Sequence, residues 1–420
     1  MIRSSFLFLF LFSTYFSFSQ NEQYYKNTIN ILCSKEKHGR GYVNNGEKKA
    51  SKFIEKEFEK IGLKKFSTSF IQTFYLDVNT FPGKTILELN NQKLIPGQDF
   101  IIAPGSIGCK GTFELCLLNK TILDDTLEFE KFKKIDFSNK FVVIDNKGMT
   151  SPEEKKAMRS LASNPFKSKG IIFLSDDKFT WSVSRNLAEY IVLEIKRNVF
   201  NDSTKTVKLE IENEFIKNYK TQNIIGFIPG TITPDSFIVF SAHYDHLGQM
   251  GQKAIFAGAN DNASGTAMLL DLANHYSKNK PPYSIVFMAF GAEEAGLVGS
   301  EYYTNNPLFP LEKIKFLTNL DLMSYGEDGI TVVNGSVFEE EFEILSDINR
   351  KENLLVAVNK RGKAANSDHY HFSEKGVKSF FIYTLGSGKA YHDIYDTPEK
   401  LKHPKYKELF SLLIKFVEKL

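Results

Sequence analysis

At 420 residues the chain is too long for one ordinary core and fits two domains, or one domain carrying a large insertion. Its 42% hydrophobic and 25% charged residues are those of a globular protein. The formal charge of +3 is small, and Lys and Arg are spread along the chain, which offers nucleic acid or an anionic membrane no basic patch.

The chain opens with Arg3, an apolar run from Phe6 to Phe12, and Ser17-Phe18-Ser19 before Gln20. This pattern predicts a signal peptide over residues 1–19, cleavage, and export to a periplasmic or extracellular space. The apolar run is short for a bilayer span, and no other segment suits stable membrane insertion. Three cysteines follow. Cys33 lies too far in for a lipid anchor, whereas Cys109 and Cys116 could pair across a short hairpin, and the sequence leaves that pairing open.

Residues 20–75 form the first segment of the main domain. Ala50, Phe53, Ile54, Phe58 and Ile61 recur at helical spacing over 47–61, and Gly62 ends the helix. Residues 76–219 read as an inserted unit of short strands, such as 141–145 and 170–174, separated by polar turns. Over 220–420, strands at 224–228, 237–242, 284–290, 315–321 and 377–384 alternate with helices near 264–276, 299–305 and 338–351, and a last amphipathic helix follows Pro404. That alternation predicts an α/β fold: a mixed, mostly parallel sheet flanked by helices, with a smaller β-rich domain inserted.

Polar residues stand where these strands end. His243-Tyr244-Asp245 follows one apolar run, Gly291-Ala292-Glu293-Glu294 a second and Asp321 a third, while a Gly-rich loop leads from a fourth to Tyr391-His392. Open α/β sheets bind ligands beyond the carboxyl ends of their strands, so all converge on one rim. Asp261 joins them from a Gly-Asn-Asp-Ser turn ahead of a helix. A Glu-Glu pair is often a solvated surface feature and a strand-end Asp often a turn cap, but neither reading explains why both follow buried-looking strands. Two imidazoles and three carboxylates, with no thiolate, suit hydrolytic zinc. Five ligands exceed the needs of one catalytic ion and suit two, sharing a carboxylate and a bridging water. One carboxylate of the Glu293-Glu294 pair can then bind metal while its neighbour serves as the catalytic base. Asp245 is placed to hold the second ring nitrogen of His243.

The segments SAHYDHLG, GANDNASG, FGAEEAGLVGS, NLDLMSYG, SDHYHF and YHDIYDTPEKL, in that order across residues 241–401, resemble metallopeptidase family M28, the co-catalytic zinc aminopeptidases. The resemblance implies one Zn2+ on His243, Asp261 and Asp321 and a second on Asp261, Glu294 and His392. It implies an oxyanion-steadying role for Tyr391 and a cis peptide at Asp261-Asn262. SNKFVV at 138–143 and SKGIIFL at 168–174 are similar to a protease-associated insert, and Gly39-Arg40-Gly41 before a helix is similar to the family's amino-terminal segment.

The expected activity is therefore that of an exopeptidase removing amino-terminal residues from peptides. A carboxypeptidase or dipeptidase on the same frame would need a cationic clamp, for which Arg361 is the nearest candidate; where some relatives carry arginine before Ser-Asp-His, this chain has Asn366. A glutaminyl cyclase would carry Trp where Tyr391 stands, and the one tryptophan is Trp181, in the insert. An inactive binding protein would have lost ligands. His246, His369 and His371 are support candidates, as is Asp368, and His275 and His403 read as surface residues.

Overall fold

The computed structural model describes residues 21–201 and 203–420, so the signal-peptide expectation lies outside the described residues. Helices α1 (Glu22–Leu32) and α2 (Gly46–Ile61) lead into β1 (Ile71–Thr80). Short strands follow: β2 (Thr85–Leu89), β3 (Gln92–Lys93), β4 (Phe100–Ile102) and β5 (Cys109–Leu118). After α3 (Lys120–Asp124) and α4 (Thr126–Lys133) come β6 (Lys140–Asp145), α5 (Pro152–Ser160), β7 (Gly170–Ser175), β8 (Ile191–Lys196) and β9 (Thr206–Ile211). The chain then returns through β10 (Glu214–Ile228) and β11 (Thr233–His243) to a hairpin, β12 (Gly248–Met250) and β13 (Ala254–Phe256). The last part runs α6 (Gly265–Lys278), β14 (Tyr283–Phe290), α7 (Val298–Asn305), β15 (Ile314–Leu320) and β16 (Ile330–Val333). It finishes with α8 (Glu339–Glu352), β17 (Val358–Lys360), α9 (His369–Glu374), β18 (Ser379–Thr384) and α10 (Tyr406–Val417).

One mixed sheet has the order β1-β10-β14-β11-β15-β18-β16-β17. Its centre, β14-β11-β15-β18, is parallel, and β1, β10 and β16 join it antiparallel. Strands covered on both faces need apolar residues at every position, and 237–240 of β11 reads Phe-Ile-Val-Phe. Ile238 and Phe240 face α2, α6 and α10, whereas Phe237 and Val239 face Tyr303 of α7 and Phe372 of α9. Gly62 ends α2 in the left-handed region, returning its N–H to the carbonyls of Phe58 and Glu59.

A second sheet, β3-β2-β9-β5-β6-β7-β8-β4, spans Thr85 to Ile211. The expected insert limits, 76 and 219, therefore fall within β1 and β10, strands that pair with each other in the first sheet. The unit also carries α3, α4 and α5 beside its strands. Its core extends beyond the unit, because Leu247, Met250, Ala254 and Phe256 of the β12–β13 region pack with Phe179, Trp181 and Leu193.

The possible disulfide is excluded. Cys109 and Cys116 lie on one continuous strand, β5, seven positions apart and so on opposite faces, roughly 23 Å from each other. His275 is buried, edge-on to Phe410, and His403 packs edge-on to Tyr25; neither is the surface residue expected. Among the described residues no helix is long and apolar enough to cross a membrane.

Candidate metal centre

His243 ends β11, Asp321 follows β15, and Glu293 and Glu294 follow β14, so three neighbouring strands deliver their polar residues to one rim. Asp261 enters from the turn before α6 and His392 from the loop after β18. The Oδ1 atom of Asp261 lies 3.4 Å from His243 Nε2, which is 3.5 Å from Asp321 Oδ2. Its other oxygen, Oδ2, lies 3.0 Å from His392 Nε2, which is 3.2 Å from Glu294 Oε2. The two oxygens of one carboxylate thus face two separate imidazole–carboxylate pairs. Ligand atoms about 2.0–2.1 Å from a tetrahedral ion stand ~3.3 Å apart, which matches these separations. Asp321 Oδ1 is buried without a hydrogen-bond partner, as an atom reserved for a cation would be. On donor type, spacing and this orphaned oxygen, the residues fit zinc.

The charge balance points the same way. A cavity of about 180 Å³ is lined by His243, Asp261, Glu293, Asp321, Leu322, Asn366, Phe381, Tyr383, Tyr391 and His392, with no Lys or Arg among them. Burial works to lower the pKa of His392, yet Glu294 and Asp261 push it up to about 11. His243 is likewise raised well above the usual imidazole range, against burial, by Glu293 and Asp321. Burial would raise Glu294, but His392 and His246 hold it at about 2. Glu293 moves the other way: burial, reinforced by Glu294, Asp368 and Asp321, lifts its carboxyl well above the usual range.

The surrounding residues fix the cluster in place. Asp396 accepts the backbone N–H of Asn260 at 2.9 Å and of Asp261 at 3.0 Å. The peptide between Asp261 and Asn262 is cis, and Asn262 bridges the Leu320 carbonyl and the Gly265 N–H. Arg40, fully buried, donates to the carbonyls of Tyr244 (2.8 Å), Ala257 (2.6 Å), Gly258 (2.7 Å) and Asp261 (3.3 Å). Ser367 donates to Asp321 Oδ2 at 3.1 Å and is itself held by Asn319, which Ser241 fixes from β11. His246 places Nδ1 2.7 Å from Glu294 Oε1.

Asp245 acts differently from expectation. Its carboxylate oxygen lies 3.8 Å from His243 Nδ1, beyond hydrogen-bond reach, while its main-chain carbonyl is 3.3 Å away. The carboxylate is engaged instead by the N–H groups of Glu293 at 3.1 Å and Glu294 at 3.3 Å. It therefore sets the turn that presents both glutamates. Tyr391 lines the cavity, 44% exposed, with its ring stacked on His392 at 4.0 Å. Arg361 is exposed and donates to the Tyr383 hydroxyl at 3.3 Å. The supporting roles of Arg40, Ser367 and Asp396 went unread in the sequence, although each lies inside a motif that drew attention.

The central strand ends of this α/β sheet thus carry a carboxylate-rich cluster of side chains that could hold a metal ion. Residues 223–417, a little under half of the chain, match the model of peptidase family M28. The aminopeptidase YwaD of Bacillus subtilis is 25% identical over 282 residues, which cover 65% of this chain and 60% of YwaD. An aminopeptidase of Pseudomonas aeruginosa is 29% identical over 199 residues, 46% of this chain and 32% of its own. The chain thus spans less than two-thirds of either relative. The solved structure of BSAP, a zinc aminopeptidase from Bacillus subtilis, superposes with a TM-score of 0.69 at 21% identity, covering 95% of each chain. A peptidase M28 precursor from Shewanella amazonensis gives 0.65 at 16% identity, covering 94% of this chain and 96% of its own. The chain shares the mixed α/β fold of these solved structures.

Proposed function

We propose that this chain is an exported di-zinc exopeptidase that removes amino-terminal residues from peptides. The observation that carries the reading is the division of Asp261, whose two oxygens face His243 with Asp321 on one side and His392 with Glu294 on the other. These five residues would hold the two ions. Bound zinc would polarise the scissile carbonyl and make water acidic enough to ionise near neutral pH.

Glu293 is the proton carrier. Its raised pKa suits a carboxylate that takes a proton from the attacking water and passes it to the leaving amine as the C–N bond breaks. Asp245 fixes its backbone N–H, so the side chain stays aimed at the cavity. Burial and the nearby carboxylates keep the Tyr391 phenol protonated, able to donate to the developing oxyanion.

Recognition of an amino end is favoured over a carboxyl end by the cavity's charge. No Lys or Arg is among the described residues that line it, and Arg361 is engaged by Tyr383. A substrate ammonium would meet carboxylates, whereas a substrate carboxylate would meet no clamp. Leu322, Phe381 and Tyr383 offer an apolar wall for the first side chain. The likeness to the aminopeptidase YwaD supports the same choice. Export rests on the leader-like residues 1–19, and 76–219 is read as a protease-associated-like insert.

The test compares short peptides with free and blocked amino ends, with and without chelator, for the parent and Glu293→Gln. Stepwise loss from free ends, restored by zinc, is expected, with Glu293→Gln slower by about 10²–10⁴-fold at equal zinc content. Cleavage of blocked peptides from the carboxyl end would move the reading to a carboxypeptidase. Near-parent rates in zinc-loaded Glu293→Gln would remove Glu293 as the base.

A further inference from the structure

His392 differs from the other candidate ligands in how it is carried. His243 and Asp321 sit at strand ends and Asp261 leads into a helix, but His392 lies in the irregular stretch between β18 and α10. Its backbone has φ +53°, a left-handed conformation that a non-glycine residue keeps only when its surroundings impose it. The imposing contacts come from the second sheet's unit, through the loop joining β7 to β8.

Trp181 in that loop forms a two-bond clamp with His392. The Trp181 N–H donates to the His392 carbonyl at 2.8 Å, and the Trp181 carbonyl lies 3.0 Å from His392 Nδ1. A carbonyl only accepts, so Nδ1 carries a proton, and in the neutral ring the lone pair is on Nε2, which faces Asp261 and Glu294. The clamp is itself anchored: the indole is buried, stacks on Phe256 at 4.6 Å and donates from Nε1 to the Ile102 carbonyl at 2.7 Å. Lys178 ties the same loop to the flanking residues. Its ammonium donates to the Lys389 carbonyl at 2.8 Å, the Tyr391 carbonyl at 3.2 Å and Asp393 Oδ2 at 3.2 Å.

We propose that the β7–β8 loop, through Trp181 and Lys178, is a positioning element for His392, so that one of the two zinc subsites is completed only by the docked second unit. The inference rests on the two-zinc reading above. Outer groups that orient a metal-bound imidazole are worth about 10–100-fold in affinity. The shared core of Phe179, Trp181 and Phe256 makes the unit a fixed brace.

The experiment titrates metal-free parent, Lys178→Met, Trp181→Phe, His392→Ala and the Lys178→Met/His392→Ala double variant with zinc against a chromophoric chelator. Emission of Trp181, the chain's one tryptophan, is followed in parallel, as are melting temperatures of the metal-free proteins. Two ions per parent chain are expected. Lys178→Met and Trp181→Phe should each weaken one ion by about tenfold or more while leaving the other within roughly twofold. Lys178→Met should add nothing once His392 is absent, and zinc should change Trp181 emission in the parent but not in His392→Ala. Equal weakening of both ions, no weakening of either, or a Lys178→Met effect that persists without the imidazole would overturn the proposal. A parent that binds fewer than two ions would overturn the two-zinc reading first, before any variant is compared.

Discussion

Replacing Arg40 with Met would remove a buried cation that no carboxylate among the described residues pairs with. Its strong bonds go to main-chain carbonyls, those of Tyr244, Ala257 and Gly258, all within 2.8 Å, with a longer one to Asp261. Methionine fills much of the side-chain volume and supplies no donor. Three charge-assisted bonds, worth about 1.5–3 kcal/mol each, are lost, although the Gly258 carbonyl keeps the Ala263 N–H and the Ala257 carbonyl the Cys33 thiol, and relief from keeping a guanidinium out of water offsets several kcal/mol. The net loss is then about 1–5 kcal/mol. At about 2.1 cal/mol/K per residue over roughly 400 residues, the unfolding entropy is ~0.84 kcal/mol/K, so the melting temperature should fall by about 1–6 °C.

The same change should reach the metal centre, because Arg40 holds both ends of the turn from Gly258 to Asp261. Bound zinc raises the melting temperature according to its affinity, so a looser Asp261 should show as a smaller rise on adding zinc. Differential scanning of metal-free and zinc-loaded protein measures both effects. Arg40→Lys, which keeps the charge but cannot span three acceptors, should fall between parent and Met. A metal-free Arg40→Met that melts with the parent and gains as much from zinc would refute the assignment of Arg40 as the clasp of this turn.

Asp396→Asn keeps one acceptor but points an NH2 group at the N–H groups of Asn260 and Asp261; zinc affinity should fall about tenfold, read by chelator competition. Gly265→Ala would bring a Cβ within 2.3 Å of the Leu320 carbonyl and 2.2 Å of Asn262 Oδ1, so urea unfolding should show a loss of at least about 2 kcal/mol. Glu47 is buried against Thr221, Gln222 and Tyr244, and burial lifts its pKa to about 7. A raised carboxyl favours the folded state fully below the unfolded value near 4.5, and that contribution is lost as pH rises toward 7, about tenfold in the folding constant per pH unit. The stability of Glu47→Gln relative to parent should therefore climb between pH 4.5 and 7 and level off above; a pH-independent difference would show that Glu47 is ionised throughout.

The parallel core was legible because each of its strands is a buried apolar run, and such a run stops where its last residue meets the rim. His243, Asp321 and the Glu293-Glu294 pair stand out for that reason alone, without knowledge of their neighbours. Asp245 was misread through the same locality. Two residues beyond His243, either its carbonyl or its carboxylate could approach the imidazole, and only the turn at 291–294 decides that the carboxylate is engaged elsewhere. A short hairpin was conceivable between Cys109 and Cys116, yet pairing with β9 and with β6 carries β5 straight through.

What the sequence hid is the scaffold around the ligands, and the reason is chemical. Arg40, Asp396 and Trp181 hold the centre by bonding to carbonyls and N–H groups, which every residue possesses, so nothing in the target's identity marks the contact. Arg40 meets Gly258 across 218 positions and Trp181 meets His392 across 211. The groups meant to meet metal and substrate are therefore carried by side chains at recognisable strand ends, while their positions are set by main-chain contacts from distant segments. Such contacts tolerate change in the residues they grasp but not in the residue that grasps, so loss at Arg40, Asp396 or Trp181 should be felt at the centre even when every ligand is intact.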